Sequence, residues 1–168
     1  MRAAPVRLVL QGALAAVLIA LTASPAAAQA PGELLLPVTP ACISSSFGAR
    51  PAGGPRASRV HNGMDLPAPA GAWVRAVGAG QVVGIRRLGA RGLEVELRHP
   101  NGWRTVYAHL GSVAPALATG RRAVAAGEAL GRVGRTGVTY GTHLHLELVI
   151  DGARVDPAPH FRVGRCGG

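Results

Sequence analysis

The chain has 168 residues, 48% of them apolar and 15% charged, with 24 Gly and 13 Pro. That is enough for one domain core, and the composition excludes a disordered polymer and a coiled coil. All 18 basic residues are arginine against 8 acidic ones, a net charge of +10, so Schiff-base chemistry on lysine is excluded.

In chain order, the first segment reads as a secretory signal over residues 1–28. Arg2 and Arg7 form a positive start, Leu8 to Leu21 is apolar, and Ala26-Ala27-Ala28 offers a small-residue cleavage site before Gln29. The apolar run falls short of the roughly 20 residues a membrane helix needs, so no stable membrane span is expected after cleavage. No cysteine follows the cleavage region, which disfavours a lipid anchor. Export to the periplasm, the cell wall or the medium is expected. Residues 29–43 form a Pro-containing lead-in, and residues 158–168 a C-terminal tail. Cys42 and Cys166 lie in these two end segments, and in an exported chain a disulfide between them is the default.

From Ser44 to Gly63 the chain is rich in Ser, Gly, Pro and Arg, which predicts a long surface loop. Short apolar segments then recur between turns. Trp73 to Val77, Gln81 to Arg86, Leu93 to His99, Trp103 to Leu110 and His143 to Ile150 read as strands. In Leu93-Glu94-Val95-Glu96-Leu97-Arg98 apolar and charged residues alternate as in a half-buried strand. Pro100-Asn101-Gly102 marks a hairpin turn. Only Val113 to Ala126 has helical character, and Pro115 and Gly120 interrupt it. The expected fold is all-β, mostly antiparallel sheet, with a sandwich-like or open-barrel-like core.

Three clusters carry candidate chemistry. In His143-Leu144-His145-Leu146-Glu147-Leu148-Val149-Ile150, a strand puts the leucines on one face and His143, His145, Glu147 and Val149 on the other. Two imidazoles about 6.5 to 7 Å apart along a strand suit one metal ligand beside one acid–base group. His61-Asn62-Gly63-Met64-Asp65 adds an imidazole and a carboxylate in a turn leading into a strand. Catalytic zinc uses three N or O protein ligands and keeps one position open; His61, Asp65 and either His143 or His145 would complete that set. In Trp103-Arg104-Thr105-Val106-Tyr107-Ala108-His109-Leu110, alternation places His109 on the face of Thr105 and Tyr107, as a further polar group near the ion if the strands are neighbours. His99, before Pro100, and His160, in a Pro-flanked loop, read as structural.

These residues together resemble the lysostaphin-type (LytM-like) zinc metallopeptidases, which cut peptidoglycan cross-links. The resemblance rests on His61-x-x-x-Asp65, Tyr107-Ala108-His109-Leu110 and Thr136-Gly137 leading to His143-Leu144-His145-Leu146-Glu147, in that order. Ser45-Ser46-Phe47-Gly48-Ala49-Arg50 resembles the opening Ser-x-Phe-Gly-x-Arg, and Val155-Asp156-Pro157 the closing motif. It covers residues 44–157, the expected peptidase domain, with long loops around a zinc groove. It implies one zinc ion held by His61, Asp65 and His145, with His109 and His143 as base and transition-state stabiliser in either order. Two positions depart from the pattern: Thr142 stands where a Pro is usual before His143, and Leu146 replaces the usual Phe.

The resemblance implies a zinc metalloendopeptidase acting on peptidoglycan peptide stems or cross-links, and a monomer is expected. A non-catalytic wall-binding or amidase-activating relative is the alternative, disfavoured because all three ligands are present. A basic surface draws polyanions, but no run of adjacent arginines exceeds two and aromatics are 4% of the chain; nucleic acid is not expected as a partner. A cupin barrel fails because its glutamate should follow the second His by four or five positions, and Glu147 follows His145 by two.

Overall fold

The computed structural model describes residues 34–50 and 58–167; the expected signal segment lies outside them. The strands are β1 (Gly48–Ala49), β2 (Val60–His61), β3 (Met64–Pro67), β4 (Trp73–Arg75), β5 (Gly80–Leu88), β6 (Gly92–Arg98), β7 (Arg104–Val113), β8 (Ala123–Val124), β9 (Ala129–Val133), β10 (His143–Ile150) and β11 (Ala153–Val155). One main sheet runs β11-β10-β7-β6-β5-β8, with β3 also on β10 and β4 joined through β9 to β7. Every strand pairing is antiparallel, and the fold is all-β. The helical expectation shrinks to α1 (Pro115–Ala118), which Gly120 does not prolong. Strands β1, β2, β8, β9 and β11 are additions to the sequence reading, β1 and β2 falling inside the expected surface loop; each is five residues or fewer, too short for a periodic signal.

Apolar alternation explains the core. Leu144 and Leu146 of β10, Val95 and Leu97 of β6, and Leu110 and Tyr107 of β7 meet Met64, Leu66, Val74 and Leu130 in one cluster. Each fully buried leucine contributes roughly 1.5 to 3 kcal/mol. The Tyr107 hydroxyl accepts from the Val77 amide at 3.0 Å and hydrogen-bonds Thr105 at 3.1 Å. Burial pushes that phenol up to about 12.

The opposite face of the sheet departs from the half-buried expectation. Glu94, Glu96 and Glu147 are all buried, because guanidinium groups lie over them. Arg86 and Arg104 each reach Glu96 at 2.9 Å, Arg91 reaches Glu94 at 2.7 Å, and Arg154 reaches Glu147 at 2.9 Å. Buried carboxylates persist only when paired in this way, and the arginine stems supply the apolar cover.

The two end segments are joined. Cys42 and Cys166 form a disulfide, beside an Ile43–Arg165 bridge with Ile43 N–H on Gly164 O at 2.9 Å and Cys166 N–H on Ile43 O at 3.0 Å. The sequence separation is 124, so the crosslink restrains nearly the whole described chain. A Cys42→Ala/Cys166→Ala variant is expected to lose about 5 kcal/mol of stability in the chain-entropy account, read as a lower urea midpoint.

Candidate metal centre

The site is assembled by strand register. Asp65 of β3 lies directly opposite His145 of β10, and residues directly opposite each other in an antiparallel pair share a face. Asp65 Oδ1 is 2.9 Å from His145 Nδ1. The turn Asn62-Gly63 brings His61 back over this pair: its Nε2 is 3.1 Å from Asp65 Oδ1 and 3.0 Å from His145 Nδ1. Gly63 permits that turn. A Cβ there would run into the Leu146 carbonyl oxygen and approach His145 Cε1 to 3.1 Å. Gly63→Ala is therefore expected to cost about 1 to 3 kcal/mol by overpacking and to weaken metal binding as β3 is pushed off β10. Thermal melting and chelator competition would check both effects.

Outward hydrogen bonds orient the inward atoms. His61 Nδ1 donates to Ser46 O at 2.8 Å, and His145 Nε2 to Glu147 Oε1 at 3.3 Å. Each ring therefore turns a lone pair toward the centre. Three acceptor atoms about 3 Å apart repel unless a cation, either a metal ion or a shared proton, lies between them. Ligands at about 2.1 Å around a tetrahedral ion would be spaced by roughly 3.4 Å, so the donor set fits zinc after a small expansion. His61, Asp65 and His145 form the one such group among the described residues.

The electrostatics agree with a cation at this point. Burial opposes ionisation of Asp65, but the His145 and His61 imidazoles at its Oδ1 hold its pKa well below the usual carboxylate range. Burial likewise opposes charge on His145, and Asp65 and Glu147 at its two edges override it and raise its pKa. Asp65 Oδ2 accepts from Arg50 at 3.0 Å. The backbone of Asp65 is tied to Ser44 and Ser45.

Two further imidazoles reach the same place. His143 Nε2 is 3.5 Å from Asp65 Oδ1, while its Nδ1 donates to Gly141 O at 3.2 Å. The ring of His109 lies 4.9 Å from that of His143 and 5.8 Å from that of His145. The expected alternation of β7 fails here, and the failure puts His109 in the site. Thr105 and Tyr107 face the core, opposite Leu148 and Leu146. Leu93 pairs Leu110 and Val95 pairs Tyr107, so Ala108 and His109 together oppose Glu94: a β-bulge. His109 carries a φ of 60°, and the bulge re-aims its side chain to the other face. Its Nδ1 donates to Thr136 O at 2.8 Å. Burial lowers the His109 pKa to about 4 and lowers that of His143 too, so both are neutral near pH 7 with Nε2 unprotonated.

These groups sit at the floor of an open cleft of about 810 Å³. Val60, Leu88 and Tyr140 stand exposed along its walls, with Arg50, Arg91 and Arg154 among the lining residues. His99 and His160 are elsewhere: His99 bonds Ala79 O and Thr105, and His160 packs edge-on against Trp103. The sequence reading assigned no role to Glu147, Arg50 or Ser46. Glu147 was nonetheless visible in the pattern, since it shares the strand face of His143 and His145.

Residues 59–157 match the family model described as peptidase family M23. The DD-carboxypeptidase/endopeptidase Mpg of Neisseria meningitidis serogroup B is 42% identical over 115 residues, which is 68% of this chain and 26% of that protein. The peptidoglycan DD-endopeptidase ShyA of Vibrio cholerae is 37% identical over 116 residues, 68% of this chain and 26% of that one. A solved structure of a zinc-containing peptidase from Vibrio cholerae is 29% identical, with a TM-score of 0.62, over 71% of this chain and 37% of that chain. The chain thus spans about a quarter of the length of these curated relatives.

Proposed function

The chain belongs to peptidase family M23, and from that premise we propose that it is an exported zinc-dependent endopeptidase that hydrolyses the peptide cross-links of bacterial peptidoglycan. The observation that carries this reading is the convergence of three lone-pair donors, His61 Nε2, Asp65 Oδ1 and His145 Nδ1, beside two neutral imidazoles in one open cleft. The relatives named for peptidoglycan and DD-peptide cleavage support the substrate class.

His61, Asp65 and His145 would hold the ion. When bound, zinc polarises the scissile carbonyl and eases ionisation of the attacking water. His109 and His143 move the proton: one accepts it from the water at Nε2, and whichever ring then carries it donates from Nε2 to the charge that develops on the carbonyl oxygen before the proton passes to the departing amine. The Thr136 and Gly141 carbonyls hold both rings in the tautomer this requires. The cleft walls align an extended peptide across the floor.

The test is zinc content by elemental analysis, followed by digestion of purified sacculi with mass analysis of the released fragments. One zinc per chain and chelator-sensitive release of cleaved cross-link peptides are expected. Zinc-loaded protein that leaves every cross-link intact would make the chain a wall-binding relative instead.

A further inference from the structure

Four imidazoles face the cleft floor, and three have their outer nitrogen tied to a backbone carbonyl: His61 to Ser46, His109 to Thr136 and His143 to Gly141. His145 differs twice. It turns Nδ1 rather than Nε2 toward the centre, and its outer nitrogen meets a carboxylate, Glu147 Oε1 at 3.3 Å. The tautomer of a neutral imidazole is set by the partner of its other nitrogen. Resting on the metal-centre reading above, we propose that Glu147 is the positioning residue of His145, fixing the tautomer that ligates through Nδ1, and that Arg91 and Arg154 lock the carboxylate in that role.

The lock has a defined geometry. Glu147 is 2% exposed. Arg91 Nη1 donates to its two oxygens at 3.3 and 3.2 Å, and Arg154 Nε donates to Oε2 at 2.9 Å. Both oxygens are thus engaged, and the carboxylate is not free to swing toward the ion as a fourth ligand. Its place two residues beyond His145 on one strand face keeps the spacing rigid.

The arginines also make an isosteric change informative. In Glu147→Gln the two guanidinium groups compete for the single amide oxygen and leave the NH2 group facing His145 Nε2. That donor selects the opposite tautomer, with the proton on Nδ1, where it competes directly with zinc. Loss of such an outer partner typically weakens metal binding about 10- to 100-fold.

The experiment is 15N NMR of the histidine imidazoles in the full chain, with zinc affinity measured by chelator competition. In zinc-loaded wild type, His145 should show zinc on Nδ1 and a proton on Nε2, with His61 the reverse. Metal-free Glu147→Gln should leave His145 Nε2 unprotonated, with its proton on Nδ1 alone, and raise the zinc Kd about 10- to 100-fold. Wild type that binds zinc through His145 Nε2 would overturn the proposal while leaving the metal centre standing, and this readout needs no variant to fold. A folded Glu147→Gln with wild-type tautomer and affinity would overturn it equally. Wild type that binds no zinc would overturn the metal-centre reading and this proposal together.

Discussion

An Asp65→Ala variant is expected to bind no zinc at micromolar concentrations and to release no peptide from sacculi at a measurable rate. Asp65 is the hub of the cluster, since Oδ1 lies within 3.1 Å of both His61 Nε2 and His145 Nδ1. Its removal leaves two neutral nitrogens where a catalytic zinc needs three protein ligands. It also removes the anion that offsets both the ion and the Arg50 guanidinium on Oδ2. The remaining charge at the centre is then positive and repels the metal. Asp65→Asn keeps the shape without the charge and should fall between wild type and Ala in zinc affinity, so that the two variants separate charge from packing. Far-UV circular dichroism should stay that of a folded sheet, because the tie of β3 to Ser44 and Ser45 is made by backbone atoms. Stoichiometric zinc and wild-type turnover in folded Asp65→Ala would place the metal elsewhere and end the assignment.

How much of this could be read beforehand depends on which rule each residue obeys. The strand His143–Ile150 was legible to its ends, because leucines alternate with polar residues throughout and Ile150 precedes the turn at Asp151-Gly152. The Cys42–Cys166 link was legible from two cysteines and an expectation of export. The location of Asp65 opposite His145 was not, since β3 is four residues long and its register is set by a glycine-permitted contact with Leu146 rather than by periodicity. His109 exposes the limit of alternation most clearly. Counting by twos assigns it to the core face with Tyr107, and only the extra residue opposite Glu94 reverses it. Nothing in Tyr107-Ala108-His109-Leu110 announces a bulge: it contains no glycine, and a left-handed φ is uncommon outside glycine. The buried glutamates were misjudged for a related reason. A strand pattern describes one strand, whereas the arginines that cover Glu94, Glu96 and Glu147 come from β5, β7, β11 and the turn before β6.

His109→Ala is the complementary case: it should retain one zinc per chain and lose about 10²- to 10⁴-fold in turnover, the range associated with a positioned acid–base group. His109 donates no atom to the cluster of His61, Asp65 and His145, so zinc affinity should change little. The fold should tolerate the change. The φ of 60° at this position is as demanding of alanine as of histidine, so the strain already present is not increased, and the surface lost is a ring at the cleft floor rather than a core side chain. What disappears is Nε2, held neutral by burial and aimed by the bond from Nδ1 to Thr136 O. The loss should therefore fall on kcat, with KM nearly unchanged, because binding of the peptide along the cleft walls does not pass through this ring. His143→Ala makes a useful contrast. His143 Nε2 lies 3.5 Å from Asp65 Oδ1, so its removal should disturb zinc affinity as well as turnover. Zinc-loaded His109→Ala that cleaves at the wild-type rate would leave the whole proton transfer to His143, and the strained bulge at Ala108-His109 would then need another explanation.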